Sequence, residues 1–157
     1  MLNPLLPRVA DNAYRGYKIA LWLFGLVVLF KAAIAGGVTF NGHYAAVNAD
    51  GIPLDSFGAA GAQAFLAMDA AWGLGSFMLC GLSAIVLFRY RTLVPLMFVV
   101  LLLEHVLRKL IFYVMPIPRV GAPASISINL ILAAVMVAGL ALSLLKTKRA
   151  AAPTLSP

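Results

Sequence analysis

The chain has little charge and almost no capacity for disulfide bonding. Charged residues make up 11% of its 157 residues and hydrophobic residues 63%, whereas soluble domains usually carry about 25% charged residues. This composition excludes an ordinary soluble domain and indicates an integral membrane protein. The single cysteine, Cys80, excludes an internal disulfide, and its apolar surroundings predict a buried thiol.

Several motifs that carry chemistry are missing. The chain has no Walker loop, no dinucleotide glycine fingerprint, no His-Glu-x-x-His zinc signature and no cysteine pair. We therefore predict no metal site, and no motif specifies a cofactor, whether quinone or haem. The net charge of +7 is clustered beside apolar runs, which is typical of orientation in a membrane, so we expect no nucleic-acid partner.

Four apolar runs, at about 17–40, 62–88, 93–115 and 126–145, are each long enough to cross a membrane as a helix. Strand-like alternation is absent, so the sequence predicts an all-α transmembrane four-helix bundle. This single membrane domain covers residues 1–149, and a disordered tail covers 150–157. The short connection 89–92 makes the second and third spans antiparallel neighbours, with Thr92 placed to cap the third span and Pro95 in its first turn.

Basic residues indicate how the bundle is oriented. With both termini in the cytoplasm, the inner side holds most of them: Arg8, Arg15, Lys18, Arg89, Arg91, Lys146, Lys148 and Arg149. The outer side then holds only Arg119, with Lys109 nearby, and the connection 41–61 has no Lys or Arg. That connection is either a lid or a plain link. The first span also resembles a signal peptide, although its apolar run continues to Phe40 and includes Lys31.

Polar residues inside the spans are costly, so each needs a partner, an aqueous cavity or a function. At 1.5 Å per residue, they lie within about 16 Å of the outer ends of their helices, with Asp69 about 10 Å deep. The sequence therefore predicts one polar pocket in the outer half of the membrane. Its expected ligand-binding residues are Lys31, Trp72, Ser76, Arg108 and Asn129. We expect Lys109 to extend toward the lipid headgroups.

The same region contains candidates for acid–base catalysis, which are Asp69, Glu104 and His105. The unperturbed pKa of histidine, near 6.5, lets it exchange a proton at neutral pH, and burial can tune a carboxyl group to the same range. Three alternatives to a binding pocket stay open. They are a membrane-embedded isomerase or hydrolase of a small lipophilic substrate, an ion pathway through an oligomer, and a purely structural ion-pair network.

The layout of the chain resembles the DoxX-like group of small bacterial four-helix membrane proteins. The resemblance covers about residues 15–145 and includes Gly36-Gly37 and the turn Arg89-Tyr90-Arg91. It implies an accessory membrane subunit linked to quinone or other redox metabolism, and it transfers no catalytic residue. The size also resembles that of the membrane-bound styrene oxide isomerases, but the stretch 61–64 lacks their haem-binding histidine.

These patterns together predict a protein of the bacterial inner membrane whose pocket binds a small lipophilic molecule. We expect it to be an accessory subunit in redox or lipid metabolism, with membrane lipid and that molecule as its partners. A small-residue stripe on the second span, formed by Ala67, Ala71 and Gly75, would suit close contact with a second copy or with a partner membrane subunit.

Overall fold

A computed structural model describes residues 5, 7, 9–121 and 124–145, and this part of the chain is helical with no strand. Its four long helices are α1 (Lys18–Phe40), α2 (Gly58–Arg89), α3 (Val94–Val114) and α4 (Ala124–Leu144). The predicted all-α class is confirmed. The predicted tail at 150–157 lies outside the described residues, as do Arg8, Lys146, Lys148 and Arg149.

Three of the described helical segments are long and apolar enough to cross a membrane, namely Lys18–Phe40, Leu54–Arg89 and Ser125–Leu144. Helix α3 has 21 residues, which is a sufficient length, but it carries Glu104, Arg108 and Lys109. These three charged residues are more than any of the other three long helices carries. The location of its charged side chains therefore decides whether α3 can cross.

Helix α1 packs along α2 and also contacts α4, and α4 in turn packs against α3. The core between them includes Phe24 and Phe98, both fully buried, whose ring centroids lie 4.9 Å apart. Two glycines allow close approach: a Cβ on Gly139 would collide with the Phe98 ring, and one on Gly73 would lie 2.6 Å from Thr39 Oγ1. Cys80 is buried, as expected.

Helices α2 and α3 are joined by a short connection, but their backbones approach each other at few points. The predicted cap on α3 is also wrong, because the residue before α3 is Leu93 and it makes no side-chain capping bond. The Thr92 hydroxyl instead donates to the Asp11 carbonyl at 2.9 Å and accepts the Asp11 N–H at 3.0 Å. Thr92 thus holds the N-terminal segment against the α2–α3 connection. Pro95 lies in the first turn of α3, as predicted.

The connection between α1 and α2 is folded and forms a small cap, which we define as residues 42–57. It contains an α-helical turn (Gly42–Tyr44), a π-helical segment (Ala45–Ala49) and a 3-10 turn (Leu54–Phe57). Ala46, Ile52 and Leu54 are buried there against Phe65, Leu66 and Ile117, among others. The Val120 N–H donates to the Gly51 carbonyl at 2.8 Å. The cap therefore has its own apolar core and is tied to the α3–α4 connection.

The connections lie at two opposite ends of the bundle. At one end, the Tyr17 N–H donates to the Leu142 carbonyl at 3.3 Å and the Thr92 N–H donates to the Asp11 carbonyl at 3.2 Å. These bonds bring the N-terminal segment, the α2–α3 connection and the end of α4 together. The cap and the α3–α4 connection lie at the opposite end. Four crossings of a membrane would produce this arrangement.

The close contact of α3 with α4 can be tested with glycine-to-alanine substitutions. We expect Gly139→Ala to destabilise the protein by about 1–3 kcal/mol, because the added methyl group must displace the buried Phe98 ring. Gly81→Ala is the control, since a Cβ there meets nothing within 4 Å, and it should be neutral or stabilising by about 0.5–1 kcal/mol. Thermal unfolding of both variants in detergent measures the difference. Equal stability would contradict this packing.

Candidate functional site

Glu104 connects three helices through its carboxylate. Lys31 Nζ of α1 donates to Glu104 Oε2 at 2.6 Å, and Ser76 Oγ of α2 donates to Oε1 at 3.3 Å. Arg108 Nε, one turn along α3, lies 3.8 Å from Oε1. Lys31 is only 5% exposed and Glu104 21%. The carboxylate therefore pairs directly with Lys31, whereas Arg108 Nε lies near it without a hydrogen-bond partner among the described residues.

Arg108 extends this arrangement toward the cap. Its guanidinium carbon lies 4.4 Å from the centroid of the Trp72 ring, which is a cation–π geometry. Arg108 also interacts electrostatically with Asp50 of the cap and with Asp69 of α2. We call Lys31, Trp72, Ser76, Glu104 and Arg108 the Glu104 network. Its polar side chains bridge α2 and α3, where the two backbones stay apart.

Asp69 lies outside this network. It comes one helical turn before Gly73, and Gly73 faces Thr39 at the end of α1. One turn of a helix rises about 5.4 Å, so Asp69 is level with the segment that follows α1. Helix α2 begins at Gly58, before the predicted start near residue 62. Among the described residues Asp69 forms no ion pair.

A separate cavity lies on the other side of α3, where α3, its connection to α4 and α4 itself meet. Its volume is about 530 Å³, within the range of about 300–1,000 Å³ that is usual for small-molecule sites. Most of its walls are apolar, and they include Val106, Phe112, Tyr113, Pro116, Ile117, Ile126, Leu130 and Ala133. The polar residues that line it are His105, Lys109, Arg119 and Asn129. An apolar cavity with a few polar groups suits a lipophilic ligand.

His105 lines this cavity with an unsatisfied polar atom. The residue is 3% exposed, and its Nδ1 has no hydrogen-bond partner among the described residues. Nearby on α4, Asn129 Nδ2 donates to the Ser125 carbonyl at 2.6 Å. A buried ring nitrogen without a partner costs free energy, because it has lost its hydrogen bonds to water. This nitrogen is itself buried, so the cavity lies beside it but does not expose it.

Seven of the eight predicted site residues thus fall into two separate places. Lys31, Trp72, Ser76, Glu104 and Arg108 contact one another in the Glu104 network. His105 and Asn129 line the cavity, and Asp69 belongs to neither group. The reason is geometric, because adjacent residues on a helix point about 100° apart. Glu104 therefore faces α1 and α2, whereas the next residue, His105, faces the cavity beside α4.

Ten of the twelve cavity residues were not predicted as site residues, among them Lys109, Phe112, Tyr113 and Arg119. The distribution of basic residues in the sequence indicated two of them. Lys109 and Arg119 are the basic residues on the side predicted to face outward, against the usual bias of Lys and Arg toward the cytoplasm. In the structure Lys109 lines the cavity, together with Arg119.

Comparisons with family models, with curated proteins and with solved structures find no significant match for this chain. The resemblance to the DoxX-like group therefore stays a prediction, and function has to be inferred from the network and the cavity. Within the described ranges, no three His, Cys, Asp or Glu side chains come together in a way that could hold a metal ion.

The Glu104 network should contribute strongly to stability. Glu104→Gln leaves the buried Lys31 without its counter-ion, so we expect a loss of about 3–5 kcal/mol. The double variant Lys31→Met with Glu104→Gln removes both charges and should recover at least half of that loss. Asp55→Asn is the control, because Asp55 is exposed, and its effect should stay within about 0.5 kcal/mol. Unfolding curves in detergent that show equal stability for Glu104→Gln and Asp55→Asn would refute the network.

Proposed function

We propose that this chain is an integral protein of the bacterial inner membrane, with four spans and both termini in the cytoplasm. In this proposal the cavity between α3 and α4, in the outer half of the bundle, binds a small lipophilic ligand. The observation that carries the proposal is the cavity of about 530 Å³, with apolar walls and four polar side chains. Its size and its mixture of surfaces are those of a small-molecule site.

The placement of charge supports a membrane crossing by α3, in addition to the three helical segments that are long and apolar enough to cross. Two of its three charged residues, Glu104 and Arg108, are held in the Glu104 network and lie largely inside the bundle. The third, Lys109, lies about one turn from the end of α3, where a long side chain can reach the membrane surface. None of these charges needs to face lipid, so the cost of placing α3 in a membrane is small.

We infer an accessory role, in which the protein binds its ligand for a partner in redox or lipid metabolism. The alternative of an acid–base enzyme has one observation in its favour, which is the unpartnered Nδ1 of His105 beside the cavity. Its two predicted carboxyl partners lie elsewhere. Glu104 is bonded to Lys31, and Asp69 does not line the cavity. The ligand-binding proposal needs no carboxylate at this position.

Filling the cavity tests the proposal. Ala133 lines it, whereas Ala134, the next residue on α4, is exposed on the surface of the bundle. We expect mass spectrometry of the detergent-purified protein to find a lipophilic molecule at a ratio near one per chain. Ala133→Phe should lose that molecule because its ring occupies the cavity, and Ala134→Phe should retain it.

Two results would contradict this proposal. One is a purified protein without any bound lipophilic molecule that also takes up none from added lipid extract. The other is equal retention of the molecule by Ala133→Phe and Ala134→Phe, since the cavity would then not be the binding site. Thermal unfolding of both variants checks that each one is folded.

A further inference from the structure

We propose that the ligand of this cavity is an alkyl oxyanion, meaning a molecule with a carboxylate or phosphate head and a hydrocarbon chain. In this arrangement Lys109 and Arg119 bind the head. The inference rests on the proposed function and goes further, because it names the chemical class of the ligand. It is carried by the charge of the lining and the sideways opening of the cavity.

The charge of the lining is of one sign. Lys109 and Arg119 both line the cavity, and no Asp or Glu does. The two cations interact electrostatically with each other, and neither forms an ion pair within the described part of the chain. One acid, Asp50 of the cap, interacts electrostatically with Lys109 from outside the lining. A bound anion would remove the repulsion between the two cations.

The two cations supply several N–H donors, which suit a head with several acceptor oxygens. The guanidinium carbon of Arg119 lies 5.8 Å from the centroid of the Phe112 ring, which holds this cation at the α3–α4 connection. Arg and Lys donors form charge-assisted hydrogen bonds to carboxylate and phosphate that are stronger than those to neutral groups.

The apolar walls provide a place for the chain of the ligand. Val106 is 52% exposed and Leu130 is 72% exposed, and both line the cavity. The cavity therefore opens sideways between α3 and α4, toward the region that lipid chains occupy in the proposed membrane. An amphiphile could enter from the membrane with its head near Lys109 and Arg119 and its chain along Val106 and Leu130. A free inorganic anion would leave these walls unused.

Direct binding measurements with radiolabelled palmitate test the inference. We expect saturable binding that hexadecyl phosphate competes for, and that hexadecanol, hexadecyltrimethylammonium and inorganic phosphate do not. Lys109→Met with Arg119→Met should weaken palmitate binding about tenfold or more, a loss of about 1.4 kcal/mol or more, because the head group loses its charged hydrogen bonds. Lys18→Met is the control, since this exposed lysine lies at the opposite end of the bundle, and it should bind normally. If phosphatidylglycerol competes with palmitate, the head group belongs to a membrane lipid. If it does not compete, the ligand is a free fatty acid or an alkyl phosphate.

The other outcomes separate this inference from the proposed function. One outcome is that hexadecanol and palmitate bind equally well, with binding that the double variant leaves unchanged and Ala133→Phe abolishes. In that case the anionic head group is wrong, and the proposal of a lipophilic ligand in the cavity stands. If inorganic phosphate binds as tightly as palmitate, the ligand needs no alkyl chain and that part of the inference is wrong. If no alkyl probe binds to a folded protein that still carries a copurified lipophilic molecule, the alkyl oxyanion is wrong and the proposed function stands; if the folded protein carries no such molecule either, both proposals are wrong.

Discussion

The ion pair between Lys31 and Glu104 is the constraint on which the arrangement of the helices depends. Two opposite charges lie 2.6 Å apart in the interior of an apolar bundle, where either one alone would be very costly. The pair fixes the rotation of α3 about its axis, with Glu104 and Arg108 directed toward α1 and α2. Because His105 and Lys109 are the next residues along, that rotation places both of them at the cavity beside α4.

The same constraint explains why the helices are not evenly packed. Where small residues allow contact, as at Gly73 and Gly139, neighbouring helices approach closely. Helices α2 and α3 stay further apart, and the contacts of Arg108 with Trp72 and of Glu104 with Ser76 bridge them. The polar residues of α3 thus serve two purposes. Those of the Glu104 network hold helices together, and those of the cavity remain available to a ligand.

The helices were largely predictable from the sequence, because each is a long apolar run bounded by charged or turn residues. The run predicted at 17–40 is the helix Lys18–Phe40, and the run at 93–115 is Val94–Val114. The cap was not predicted, since its Gly, Ala and Pro residues have no periodic pattern. The sequence also merged two sites into one. Helical periodicity shows that Glu104 and His105 share a broad polar arc of α3, but only packing shows that the arc faces different neighbours on its two sides.

The central claim is that the cavity, and not the Glu104 network, is the part of this protein that binds a lipophilic molecule. Photolabelling in phosphatidylcholine vesicles with a diazirine derivative of palmitate, followed by mapping of the modified residues, tests it most directly. Labels concentrated in residues 106–117 and 126–133, and competed by unlabelled palmitate, are the predicted result. Labels at Trp72 and Ser76 would contradict this proposal. So would labels on outward-facing residues such as Trp22 that unlabelled palmitate does not displace.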